Sequence, residues 1–157
     1  MEKIRISRIV LLIAVASLFL AILHWSIAPY SGFITLFGAK DNAVFDWWSI
    51  FHLMAGVLIG SWLLYYRYVP DKNWKKMLLV IFVISFVWEV FELFAELGSV
   101  ILFSKEYWKY GYEHWMNRVI SDQVITVGGG LIGYNYKRIW AWMLPPVVVW
   151  MIVSFFV

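Results

Sequence analysis

Three glutamates, Glu89, Glu92 and Glu96, stand in an otherwise oil-like run that reaches back to Met77 with only Ser85 interrupting it. A carboxylate at the centre of a helix in hydrocarbon costs ~2.5–3.5 kcal/mol on insertion scales, so such residues turn toward a bundle interior and mark function. A carboxyl that keeps its proton can serve as a general acid, and several carboxylates together can hold a divalent ion.

Helical spacing gathers more such groups. Successive residues on a helix are about 100° apart, so positions i, i+3, i+4 and i+7 share a face. This puts Ser85, Glu89, Glu92, Glu96 and Ser99 in one stripe, and Arg118, Asp122, Thr126, Gly129 and Gly133 in another. A looser third face holds Ser49, His52, Gly56 and Gly60, with Asp46 just before it. Gly56 to Gly60 and Gly129 to Gly133 have the small-xxx-small spacing of close helix contacts. Convergence of the three faces nominates Glu89, Glu92, His52 and Asp122 as catalytic groups, and Arg118, Glu96 and Asp46 as substrate-binding groups. The carboxylates cannot all be ionised with only Arg118 and His52 as local partners. A retained proton, a bound cation or entering water must offset the excess.

Each candidate also has a plainer reading. Glu89 and Glu92 could form a hydrogen-bonded packing pair, and Glu96 could face the interface. Asp122 could cap the fourth helix, since Ser121-Asp122 suits a helix start. His52 could be a satisfied core histidine, and His24 and His114 read as interfacial residues. Arg118 could snorkel to the surface, or clamp phosphate or carboxylate with its planar donors.

Familiar enzyme signatures are missing. The chain has no His-Glu-x-x-His, no Gly-x-Ser-x-Gly and no Gly-x-x-x-x-Gly-Lys-Ser/Thr. It has no cysteine, which excludes disulfides and thiolate metal sites. One histidine with several carboxylates suits Zn²⁺, Mn²⁺, Mg²⁺ or Ca²⁺ without choosing among them, so a divalent cation is the one cofactor suggested.

The elements that must position these groups are membrane spans. Hydrophobic residues make up 63% of the 157 and charged residues 15%, against about 25% charged in soluble domains. The length allows one all-α bundle and no separate soluble domain. Five apolar runs approach the ~20 residues a span needs: 9–27, 47–66, 76–97, 119–136 and 139–157. The first reads as a retained span rather than a cleaved signal peptide. The last contains Pro145-Pro146, which should kink it or start its regular part. The 33–37 piece is too short to span and reads as re-entrant or interfacial. The 99–117 segment reads as amphipathic on the outer surface, an interfacial helix or a lid. With the N-terminus cytoplasmic, nine of the thirteen basic residues fall on the cytoplasmic side, which predicts N-in and C-out. The site then lies in the outer half of the bundle, in the cell membrane. The net charge of +3 is spread in short clusters between spans and is no nucleic-acid signal.

An apolar helix with one histidine, then Trp88-Glu89-Val90-Phe91-Glu92, then Asp122 leading a glycine-rich helix, resembles the VanZ-like membrane proteins, on the branch of YjdF-type inner-membrane proteins. The matching pieces are 46–56, 88–92 and 117–133. The family pattern has a second acidic residue before the aspartate of the fourth span, where this chain has Asn117-Arg118. The resemblance implies a small polytopic helical bundle and hints at envelope chemistry. Three functions stay open: an enzyme acting on a lipid-linked or cell-envelope substrate, a proton or divalent-cation binding or transport protein, and a small assembly partner in the lipid bilayer.

Overall fold

The computed structural model describes residues 6–28, 34–69, 73–97 and 112–154. Among the described residues five α-helices carry the fold: α1 (Ile6–Ile27), α2 (Trp47–Tyr65), α3 (Trp74–Glu96), α4 (Asp122–Asn135) and α5 (Trp140–Ser154). By length and composition α1, α2 and α3 can each cross a membrane, and α5 is a shorter apolar helix. A π-helical turn, Asn117–Ser121, runs directly into α4.

Local chemistry sets the ends. Asp46 opens α2 with a reciprocal cap: its Oδ1 accepts the Ser49 N–H at 3.1 Å, and Ser49 Oγ accepts the Asp46 N–H at 3.2 Å. Asn73 Oδ1 caps α3 by accepting the Lys76 N–H at 3.2 Å. α2 closes with Arg67 in the left-handed region, φ 58°. There Tyr68 N–H reaches Leu63 O at 3.0 Å and Arg67 N–H reaches Leu64 O at 3.1 Å, which satisfies carbonyls the helix end leaves open.

The tightest contact is α2 on α4. A Cβ at Gly56 would collide with the Thr126 carbonyl and one at Gly60 with the Gly130 carbonyl. From the other side, a Cβ at Gly129 would strike the Leu53 carbonyl and one at Gly133 the Val57 carbonyl. Glycine on both faces lets the two backbones touch, as small-residue spacing predicts. α3 closes on the same helix, with Ile81 laid over Gly130. A cluster of Leu63, Leu64, Val69, Met77 and Ile81 fills the end of the bundle near the α2–α3 turn. At that end Ser61 Oγ donates to Tyr136 O at 2.7 Å and accepts the Trp140 N–H at 3.1 Å, fixing the turn into α5. α1 is the outlier: only Ile9, Leu20, Ala21 and His24 are buried along it, and most of its remaining surface is apolar.

Three expectations change. The 33–37 piece supplies a strand, β1 (Thr35–Phe37), in parallel register with β2 (Ala43–Phe45), Thr35 opposite Ala43 and Phe37 opposite Phe45. α5 starts at Trp140 and runs through Pro145 and Pro146, so the prolines do not begin its regular part. The fourth helix carries the π turn at its start, which a 3.6-residue period cannot show. The remainder of the amphipathic 99–117 stretch, up to residue 111, lies outside the described residues, as do 155–157 at the end of the fifth predicted span.

Candidate buried acidic–histidine site

The C-terminal end of α1, the β1–β2 turn, the start of α2, the end of α3 and the 112–122 segment meet at one end of the bundle. The α3 stripe forms as spaced: Ser85, Glu89, Glu92 and Glu96 are all buried. So are Glu113 and Asp122, and Glu89, Asp122 and Arg118 are each 0% exposed.

The site has two halves. In the first, cations and carboxylates pair closely. Lys40, carried by the β1–β2 turn, forms ion pairs with Glu92 and with Glu96, the latter at 2.7 Å. Trp88 Nε1–H donates to Glu92 Oε2 at 3.1 Å. Arg118 Nη2 lies 2.8 Å from Glu96 Oε2 and 3.0 Å from Glu113 Oε2, and Nη1 lies 3.1 Å from His24 Nδ1. The Lys40 carbonyl accepts the His114 N–H at 3.0 Å, which ties the β turn to the 112–122 segment. Burial alone would pull the Lys40 ammonium down, but Glu92, Glu96 and Glu113 outweigh it and hold Lys40 above the ordinary lysine value. Glu113 goes the other way. Burial, then the nearby Asp122 charge, push its carboxyl well above the ordinary range despite Arg118.

In the second half, among the described residues, no lysine or arginine nitrogen lies within hydrogen-bond distance of the Glu89 and Asp122 carboxylates. His52 Nε2 lies 3.3 Å from Asp122 Oδ2, and Nδ1 lies 3.2 Å from Thr126 Oγ1 and 3.7 Å from Glu89 Oε1. Ser49 Oγ stands 3.5 Å from Asp122 Oδ1. Arg118 Nε is 3.7 Å from Glu89 Oε2, too far for a hydrogen bond. Both oxygens of Glu89 and Oδ2 of Asp122 are buried without a hydrogen-bond partner among the described residues. One donor atom each from His52, Glu89 and Asp122 lie within 4.8 Å of one another, and the same holds for Glu89, Glu92 and Glu113.

Of the residues nominated from sequence, Glu89, His52 and Asp122 come together, and Glu92 joins them through Glu89. Glu96 is buried between Lys40 and Arg118 rather than facing the interface. Asp46 spends one oxygen on the α2 cap, and burial raises its carboxyl although the Ser49 N–H works against this. Arg118 does not snorkel outward. Asp122 does not cap α4, because helical backbone runs through it from the π turn. His24 and His114 are both buried, against an interfacial reading.

Sequence reasoning missed Lys40, Glu113 and His24 as members of the site. Lys40 sits in irregular backbone, where periodicity is silent. His24 is one polar residue on an apolar helix and makes no stripe. For Glu113 a signal existed, an acid five residues before a basic residue at the mouth of a helix. No family model, curated protein or solved structure matches the chain.

Proposed function

We propose that this chain is a multi-pass cell-membrane protein that takes up a cation, a proton or a divalent ion, at its buried acidic–histidine site. One observation carries the reading: among the described residues, five buried carboxylates, Glu89, Glu92, Glu96, Glu113 and Asp122, share two cations, Lys40 and Arg118. Both cations are spent mainly on Glu92, Glu96 and Glu113. A site with that imbalance attracts positive charge and repels an anionic head group. Arg118 has its Nη groups engaged inside the chain, which speaks against a clamp for a lipid phosphate.

The proposed topology has five crossings with the N-terminus cytoplasmic, which the basic-residue bias supports and under which the site would lie toward the outer leaflet. The three segments whose motifs resemble VanZ-like proteins, 46–56, 88–92 and 117–133, contain His52, Glu89, Glu92, Arg118 and Asp122, and membership of that family is proposed on those motifs alone. In proteoliposomes holding a pH-sensitive or a metal-sensitive dye, the protein should drive or bind cation uptake, and Glu89→Gln should abolish it. Absence of any cation binding or flux, with turnover of extracted lipid-linked substrates instead, would overturn the reading.

A further inference from the structure

Resting on that reading, we infer that His52, Glu89 and Asp122 form a three-ligand site for one first-row divalent metal ion of the zinc or manganese class. The donors are one imidazole nitrogen and two carboxylates. Imidazole favours transition ions, whereas Mg²⁺ and Ca²⁺ prefer all-oxygen shells. Three protein ligands leave a position open for water or substrate.

One donor atom from each of the three residues lies within 4.8 Å of the others, and the His52–Asp122 pair is the closest to ligand spacing. Zinc bonds to nitrogen and oxygen of about 2.0–2.2 Å put neighbouring tetrahedral ligands about 3.3–3.6 Å apart. His52 Nε2 and Asp122 Oδ2 already stand at 3.3 Å. A ligating histidine usually donates its other ring N–H to an oxygen, which fixes the tautomer. Thr126 Oγ1, 3.2 Å from Nδ1, is placed to accept it and leave the Nε2 lone pair for the ion. Glu89 supplies the independent pointer to a ligand. It is fully buried, aims into the cluster, and neither oxygen accepts a hydrogen bond among the described residues. A divalent ion would give Glu89 and the Oδ2 of Asp122 a shared partner, while Arg118 has its Nη groups on Glu96, Glu113 and His24.

The test uses the full chain, purified in detergent and stripped with a chelator. Zn²⁺, Mn²⁺, Mg²⁺ and Ca²⁺ are then titrated separately, with stoichiometry read by elemental analysis. The expected result is one Zn²⁺ or Mn²⁺ per chain, with Mg²⁺ and Ca²⁺ far weaker. X-ray absorption at the metal edge should show only nitrogen and oxygen at about 2.0–2.2 Å. Thr126→Val, which removes only the partner of His52 Nδ1, should weaken binding ~10–100-fold. Glu89→Gln and Asp122→Asn should remove the stoichiometric ion. No binding of Zn²⁺ or Mn²⁺ would overturn the metal site; Glu89-dependent proton uptake beside that result would leave the broader cation reading standing. Loss of both would sink both. Equal Zn²⁺ binding in the parent, the ligand variants and Thr126→Val would put the ion elsewhere and also overturn the inference.

Discussion

His52 Nε2 meets Asp122 Oδ2 at 3.3 Å across the α2–α4 contact, on two helices that glycines bring into backbone contact. Gly56 and Gly129 let the two backbones touch one to two helical turns from the pair. The polar contact is therefore a readout of how closely the helices pack.

Enlarging those glycines should break the site from a distance. Gly129→Val places a side chain on the Leu53 carbonyl, and overpacking of this kind costs about 1–3 kcal/mol or more. Thermal unfolding in detergent should show the loss, together with lost cation binding. Gly128→Ala, where a Cβ meets nothing within 4 Å, should leave both intact.

Glu89→Gln and Glu92→Gln should part company in stability. Among the described residues Glu89 accepts no hydrogen bond, so its amide should match or exceed the parent in thermal stability while losing function. Glu92 is the partner of buried Lys40, and its removal should cost up to about 3–5 kcal/mol, moderated by Glu96. Equal melting of the two amides would show that Lys40 does not hold Glu92.

Lys40→Met should be among the most disruptive single changes, because it strips Glu92 of its cation and leaves Glu96 with Arg118 alone. The expected cost is about 3–5 kcal/mol, and the double variant with Glu92→Gln should recover part of it. Additive losses in that double-mutant cycle would count against the pair.

Stability should fall as pH rises through the raised titration of Glu113. Its folded carboxyl keeps a proton above the ordinary glutamate value of about 4.3, while the unfolded one does not. The folded state then binds more protons, so its contribution is complete below the unfolded value and is lost as pH passes the folded one. Glu113→Gln should flatten that part of a stability–pH profile. An unchanged profile would assign the slope to other groups.

Reporter fusions should read cytoplasmic at Asp71 and Lys137 and outside at Lys109. A cytoplasmic signal at Lys109 would invert the site and remove the outer-leaflet placement.

Much of this architecture is written in local pattern. Long apolar runs gave α1, α2 and α3 to within a few residues, and the 100° rule found the buried glutamate face and the two glycine faces. What pattern could not reach depends on irregular backbone. Lys40 is delivered by a turn between two three-residue strands, whose pairing has no helical period. Arg118 and Asp122 were placed on one stripe, yet they serve different halves of the site. The π turn inserts an extra residue between them and rotates what precedes it. Arg118 thereby reaches Glu96 and His24 while Asp122 and Thr126 face His52.

The two cations come from opposite sides of α3 in chain order, and synthesis makes that order a timetable. Lys40 leaves the ribosome before α3, so a counter-charge for Glu92 and Glu96 exists when those glutamates first approach a bilayer. Arg118, Glu113 and Asp122 follow only after α3 is complete. For that interval Glu89 has neither Arg118 nor Asp122 beside it, and on the proposed topology the third helix would enter with its acidic face only half neutralised. The fourth helix then brings the second cation and the glycine seam in one step.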